Sequence, residues 1–293
     1  MPQANGGTGA AGRERPFRTA APFYRARPPY SADLRSALAA RLGWNGSGRL
    51  LDVGCGPGVL ALELAAGFAE VVGLDPEPEM LREARRAAAG LAPASIRWVE
   101  GRAEDIPSLG LGSFDAVTLG QSFHRTDKEA VARIIYDTLK PGGAMLLVHH
   151  TLEIYEDNPP LPVGGPPHPP VPHPAIDAVL ERYLGHGRPH PDPNPEPYGT
   201  LLRRTPFGAP EILILPGRRD LVRSVDDVID NYLSTSFAAP ELYRDRFEAF
   251  RAELARVLAM HTDTGFFWEW PGDTEVLIGV KSTGGAITAR SSG

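Results

Sequence analysis

Apolar residues recur along this chain in two alternating rhythms. Short, almost unbroken apolar runs near 49–53, 70–74, 95–100, 114–119 and 143–149 predict strands. Between them, apolar positions three or four apart predict helices near 57–66, 77–89 and 127–139, the last stopping before Pro141-Gly142-Gly143. Ahead of the first strand, Ser31 is positioned to cap a helix reaching Leu42, with Leu34, Leu38 and Leu42 on one face. Strands that alternate with helices and are apolar along their whole length predict a parallel sheet covered on both faces.

The rhythm breaks after His150. Residues 159–197 hold 14 of the 30 prolines and one helix candidate, Ala175 to Leu184. Proline removes a ladder donor and fixes φ, so this stretch is expected to be a loop, either a surface linker or an ordered cap over a substrate pocket. EILIL at 211–215 could be a strand, and helices are expected near 224–235 and 240–260. The second helix carries Tyr243, Phe247, Phe250, Leu254 and Val257 on one face. GFFWEW, the turn Pro271-Gly272-Asp273 and TEVLIGVK then suggest a β-hairpin. The division expected is a disordered tail at 1–16, a core at 17–150, an inserted cap at 151–262, a closing hairpin at 263–281 and a flexible tail at 282–293.

Composition narrows the classes. With 293 residues and 42% hydrophobic content, the chain can build a large core with an attached subdomain. A net charge of −6 without basic clusters argues against nucleic acid as a partner. Cys55 is the sole cysteine, which suits a reducing compartment, and no run reaches the roughly 20 apolar residues of a membrane span. The expectation is a cytoplasmic protein acting on a small molecule, with its oligomeric state open.

The chemistry concentrates in LLDVGCGPG (50–58) and in Asp75, which closes VVGLD. An apolar strand, a glycine turn and a helix opening at Pro57 mark a nucleotide-binding unit, and an acid closing the next strand can accept hydrogen bonds from two ribose hydroxyls. A dinucleotide fingerprint would need Gly at 59, where the chain has Val59. Asp52, two residues before Gly54, suits a cationic ligand better than a pyrophosphate, and S-adenosylmethionine carries a sulfonium and an ammonium.

At these residues the chain resembles the class I S-adenosylmethionine-dependent methyltransferases, in the small-molecule group related to the ubiquinone/menaquinone and trans-aconitate enzymes. WVEGRAEDIP (98–107), FDAVTLGQSFH (114–124) and LKPGGAMLLVH (139–149) extend the resemblance in order, and FYRARPPYSADL (23–34) is similar to the group's leading segment. The resemblance implies an α/β fold: a Rossmann-like seven-stranded sheet, mostly parallel with an antiparallel last strand. It implies S-adenosyl-L-methionine as cofactor and S-adenosyl-L-homocysteine as product. Cofactor contacts would come from Tyr24, Asp52, Gly54, Gly56, Gly58, Asp75, Met80, Ala103, Glu104, Gly120 and Gln121. Arg102 stands where an acid is often found.

Methyl transfer needs alignment and exclusion of water, and a general base where the acceptor is a hydroxyl or ammonium. His124, His149 and His150 fall at the carboxyl ends of predicted strands, with His124 the leading candidate; strand alternation directs only one of the other two inward. His168, His173, His186 and His190 match no zinc spacing, and no metal is expected. Phe266, Trp268 and Trp270 would share a face, as core or as an aromatic wall for substrate. O-, N- or C-methylation of a small metabolite, in specialised biosynthesis among other settings, is the leading reading. The alternative is a cofactor-binding protein without transfer activity, such as one ordering a substrate for cyclisation.

Overall fold

The computed structural model describes residues 17–90, 95–151, 164–188 and 196–283. The tail expected at 1–16, His190 and most of the tail expected after 282 lie outside the described residues.

Seven strands form one sheet. They are β1 (Arg49–Val53), β2 (Glu70–Asp75), β3 (Ser95–Glu100), β4 (Phe114–Gly120), β5 (Leu139–His150), β6 (Glu211–Leu215) and, later in the chain, β9 (Thr274–Val280). Their order is β3-β2-β1-β4-β5-β9-β6. The pairs β1–β2, β1–β4, β2–β3 and β4–β5 are parallel, and β9 runs antiparallel to both β5 and β6. This is the Rossmann-like, mostly parallel seven-stranded sheet that the sequence implies.

The pleat explains why the strands are apolar throughout. Leu50, Val71 and Leu146 point to one face, among Leu34 and Leu38 of α1 (Leu34–Leu42) and Leu60 and Leu64 of α2 (Val59–Leu64). Their neighbours Leu51, Val72 and Leu147 point to the other, among Phe123 and the Val131 and Ile135 of α4 (Lys128–Thr138). In β1, β2, β4 and β5 both faces are covered, so these strands stay largely apolar, whereas β3 and β6 carry exposed positions, Ile212 and Ile214 among them. The helix α3 (Pro78–Ala88) follows β2. Ser31 does not cap α1: its backbone amide donates to Thr274 Oγ1 at 2.8 Å, and the helix begins after Asp33.

A third apolar cluster forms a cap. It joins α5 (His173–Leu184), α7 (Val225–Leu233) and α8 (Phe247–Ala259) through Ile176, Val179, Ile229, Tyr243, Phe250 and Leu254, with the Tyr243 and Phe250 rings stacked at 3.9 Å. The expected helix at 240–260 is divided. A 3-10 segment, Pro240–Arg246, carries Arg244 at φ 54°, and α8 begins after it. The proline-rich stretch contributes α5, which packs in this cluster, and α6 (Tyr198–Leu202) follows it.

The closing hairpin is not formed. β8 (Phe266–Trp268) pairs with β7 (Val222–Ser224) in a separate two-stranded sheet, and β9 takes β5 and β6 as partners. The physical reason is burial. Val276, Leu277 and Ile278 can enter the central sheet, whereas Phe267 and Trp268 close the cap, where Phe267 packs in the third cluster. The 151–262 segment therefore contains β6, a strand of the core sheet.

Candidate active site

A cavity of about 690 Å³ opens at the carboxyl ends of β1, β2, β3 and β4, between the sheet, the N-terminal segment and the cap. That volume lies within the range of about 300–1,000 Å³ for small-molecule sites.

The glycine turn forms its floor. Gly54, Gly56 and Gly58 have φ of 65°, 53° and 85°, a region that L side chains rarely adopt. The amides of Gly54 and Cys55 donate to the Leu74 carbonyl at 2.8 and 3.0 Å, and Gly56 donates to Asp75 Oδ2 at 2.8 Å. A Cβ on Gly54 would fall 2.6 Å from Ser122, so the turn abuts the end of β4. Gly58 differs from its expected role. It does not line the cavity, and a Cβ there would lie 2.5 Å from the Trp98 ring. Its small size serves the packing of α2 against β3, which is also why Gly73 lies under the same ring.

Asp75 closes β2 with its carboxylate at the cavity edge. Its Oδ1 accepts from the Glu77 amide at 2.8 Å and its Oδ2 from Gly56, and a carboxylate with about four acceptor positions keeps room for two more donors. Burial pushes this carboxyl up, against those two hydrogen bonds. Met80 from α3, and Ala103, Glu104 and Gly101 after β3, line the adjoining wall. There Asp105 caps its turn by accepting from the Arg102 amide at 3.0 Å, and Arg102 lies 3.6 Å from Glu104. Gly120 and Gln121 complete the opposite wall. Gln121 has φ 52°, and its amide donates to the Val148 carbonyl at 3.0 Å.

Asp52 lies deeper. It points with Leu50 toward α2, where Oδ2 accepts from the Ala61 amide at 3.1 Å, while Oδ1 accepts from Thr118 Oγ1, its register partner on β4, at 2.8 Å. Burial pushes its carboxyl up to about 7. Cys55 is buried too, and desolvation pushes its thiol up, so it is not a thiolate nucleophile.

The N-terminal segment folds over this floor. A Cβ on Gly56 would lie 3.7 Å from Tyr24, and the Arg27 guanidinium sits 4.5 Å from the Tyr24 ring centroid. Arg27 donates to Ser234 Oγ at 2.8 Å and to the Ser234 carbonyl at 3.0 Å, tying the segment to the cap. It has no carboxylate partner among the described residues.

Strand alternation separates the histidines. His150 shares its face with Leu146 and Val148, lines the cavity and stacks on Tyr30 with centroids 5.0 Å apart. Its ring makes a hydrogen bond to the Pro28 backbone. Proline has no N–H, so the imidazole is the donor there through Nε2–H, and Nδ1 is buried without a partner. Desolvation holds His150 down to about 4, so the ring is neutral near pH 7. His149 faces the other side, 3.3 Å from Glu275, and does not line the cavity. His124 also falls outside it. The 3-10 turn Phe123–Arg125 buries Phe123 and turns His124 outward, where desolvation and the neighbouring Arg125, Lys128 and Arg27 hold it down to about 4.

On the cap side, Trp270, which the sequence offers as part of an aromatic wall, also lines the cavity, together with His173, Asn231 and Glu269, which it did not single out as site residues. His173 Nδ1 and Tyr232 Oη lie 2.6 Å apart, and Glu269 is 3.5 Å from Arg223. Among the described residues no group of three or more His, Cys, Asp or Glu is arranged to hold a metal, and no helix is long and apolar enough to cross a membrane.

This sheet order and glycine turn support a class I S-adenosylmethionine-dependent methyltransferase. Residues 50–143 match the family model of a methyltransferase domain. A ubiquinone biosynthesis O-methyltransferase from Xanthomonas oryzae pv. oryzae is 38% identical over 112 residues, which are 38% of this chain and 46% of that protein. An uncharacterised methyltransferase from Mycobacterium bovis is 36% identical over 124 residues, 42% of this chain and 46% of that one. The chain thus spans about half the length of the curated relatives it matches. The YcgJ protein of Bacillus subtilis superposes with a TM-score of 0.45 at 18% identity, over 85% of this chain and 98% of that structure.

Proposed function

We propose that this protein transfers the methyl group of S-adenosylmethionine to a hydroxyl of a small molecule, with His150 as general base. The observation that carries the reading is one cavity that joins the Gly54–Gly56 floor and Asp75 to a neutral histidine with an unpartnered ring nitrogen.

The residues present fit the cofactor. Asp75 has acceptor capacity for two ribose hydroxyls, Met80 and Ala103 offer an apolar slot for the adenine, and Glu104 offers its amine an acceptor. Asp52 faces the cationic end, and Arg27, without a carboxylate of its own, suits the amino-acid carboxylate. When bound, the cofactor supplies an electrophilic methyl on a sulfonium. Tyr24, Tyr30 and the cap exclude water from that point, and His150 Nδ1 accepts the proton of the hydroxyl as its oxygen attacks. The Pro28 carbonyl holds the imidazole in the tautomer that makes this possible.

The name of the Xanthomonas relative supports oxygen as the acceptor atom, and the lone cysteine supports a cytoplasmic setting. The division into a cofactor-binding core and a substrate-shaping cap belongs to the same reading. Incubation with labelled methyl donor and a panel of hydroxylated metabolites tests it: label should move onto oxygen, and His150→Ala should stop the transfer. A cofactor-bound protein that methylates nothing in such a panel would favour the non-transferring alternative.

A further inference from the structure

The cap end of the cavity contains a side chain that the protein itself leaves unsatisfied. Asn231, in the last turns of α7, is 3% exposed and lines the cavity. Its Oδ1 has no hydrogen-bond partner, and its side chain makes no hydrogen bond among the described residues. A buried primary amide left in this state destabilises the fold. Its retention is explained when a ligand completes it.

The neighbours narrow the ligand. A carboxamide presents one acceptor and two donors, which complements a group that both gives and takes a hydrogen bond. The other orphaned atom on the cavity wall, His150 Nδ1, is an acceptor and requires a donor. Among the cap-side residues the formal charges are already matched. Glu269 lies 3.5 Å from Arg223, and His173 is engaged with Tyr232 at 2.6 Å. Trp270 adds an apolar ring, its indole stacked under Arg219 at 4.3 Å. A charged acceptor would find no unmatched counter-charge among these cap residues.

Resting on the methyl-transfer reading above, we propose that Asn231 is the acceptor-selecting residue: it holds a second hydroxyl of an uncharged, multiply hydroxylated substrate while His150 faces the hydroxyl that is methylated. Hydroxyl number, rather than charge, then sets specificity.

The test uses the full chain saturated with S-adenosylhomocysteine. It is titrated with a naphthalene bearing two adjacent hydroxyls, with the single-hydroxyl naphthol, and with naphthoate. The diol should bind about tenfold more tightly than the naphthol, the worth of one good hydrogen bond, and naphthoate should bind weakest. Asn231→Ala should erase the diol's advantage without changing naphthol affinity, and Asn231→Ser, which keeps a hydroxyl, should restore part of it. S-adenosylhomocysteine affinity is measured on each variant. Its retention shows an intact fold and leaves the cofactor reading standing, and its loss in the wild type would count against that reading instead. Equal affinity for diol and naphthol, a diol advantage that survives Asn231→Ala, tighter binding of naphthoate, or no binding of either hydroxylated probe would each overturn the proposal.

Discussion

The Asp75 carboxylate accepts a 2.8 Å hydrogen bond from the amide of Gly56, so the acid that closes β2 also pins the turn that follows β1. Two motifs that lie apart in sequence form one unit in space. The unit is pre-organised, because Glu77 fixes the second carboxylate oxygen at 2.8 Å.

That coupling makes Asp75→Ala more damaging than the loss of two ribose contacts. Charge-assisted hydrogen bonds contribute about 1.5–3 kcal/mol each, and the variant also frees the Gly56 amide. S-adenosylhomocysteine affinity should fall by about 100-fold or more. Asp75→Asn, which still offers one carbonyl oxygen, should fall less. Calorimetry on both variants measures the difference, and unchanged affinity in the alanine variant would remove Asp75 from the site.

The stacked pair Tyr30–His150, 5.0 Å between centroids, leads to the second prediction. Replacing His150 with Ala should reduce turnover by about 10²–10⁴-fold, the usual worth of a general base. Cofactor affinity should stay within about threefold, since His150 is assigned to the acceptor. His124→Ala and His149→Ala should retain turnover, because neither residue lines the cavity. Single-turnover rates on the three variants distinguish these outcomes.

Asp52 predicts a pH dependence of binding. Burial pushes its carboxyl up to about 7, with hydrogen bonds from Thr118 and Ala61 opposing the rise. A cationic ligand beside it favours the ionised form, so below about pH 7 binding must release a proton. Affinity for S-adenosylmethionine should therefore rise with pH by up to about tenfold per unit between about pH 5 and 7 and level off above that. Asp52→Asn should flatten the profile. A wild-type profile that is already flat would show that Asp52 does not sense the ligand.

The same groups shape stability against pH, with opposite signs. Asp52 has a raised folded pKa, so the folded state holds the extra proton between about pH 4 and 7 and loses stability as pH rises through that window. His150 is held down to about 4, so the unfolded state holds the extra proton below its ordinary value near 6.5 and stability rises with pH. The two partly cancel in the wild type. Asp52→Asn should therefore gain stability between about pH 4.5 and 6.5 more steeply than the wild type in urea unfolding.

Gly58→Ala should destabilise without touching the ligand site. A Cβ at 2.5 Å from Trp98, on a residue at φ 85°, combines overpacking with left-handed strain, together about 2–4 kcal/mol. Adding Trp98→Leu should recover the packing part and leave the backbone part. Urea midpoints measure the loss, and cofactor affinity of the folded protein should be unchanged.

Much of the core was legible because β1 to β5 are short apolar runs whose register follows from burial on both faces. The pairing of β9 was not, since the local turn Pro271-Gly272-Asp273 mimics a hairpin while the competing partners Leu139–His150 and Glu211–Leu215 lie far away in the chain. The family resemblance named Gly54, Gly56, Asp75, Met80, Ala103 and Gly120 together, and all of them line the cavity. Gly58 belonged to the same motif, but its neighbour Trp98 is a tertiary contact. Among the histidines, alternation along β5 could separate His149 from His150, yet it could not say which face carried the cavity. Asn231 had no signal at all, because only burial distinguishes an unsatisfied amide from a solvated one.

Calorimetric titration of the purified protein with S-adenosylhomocysteine and, separately, with NAD decides which ligand the cavity takes. One-site, micromolar-range binding of S-adenosylhomocysteine, weakened by Asp75→Ala, and no response to NAD are expected of a methyl-transfer site. Binding of NAD, or no heat with S-adenosylhomocysteine under conditions where the protein is folded, would rule that site out.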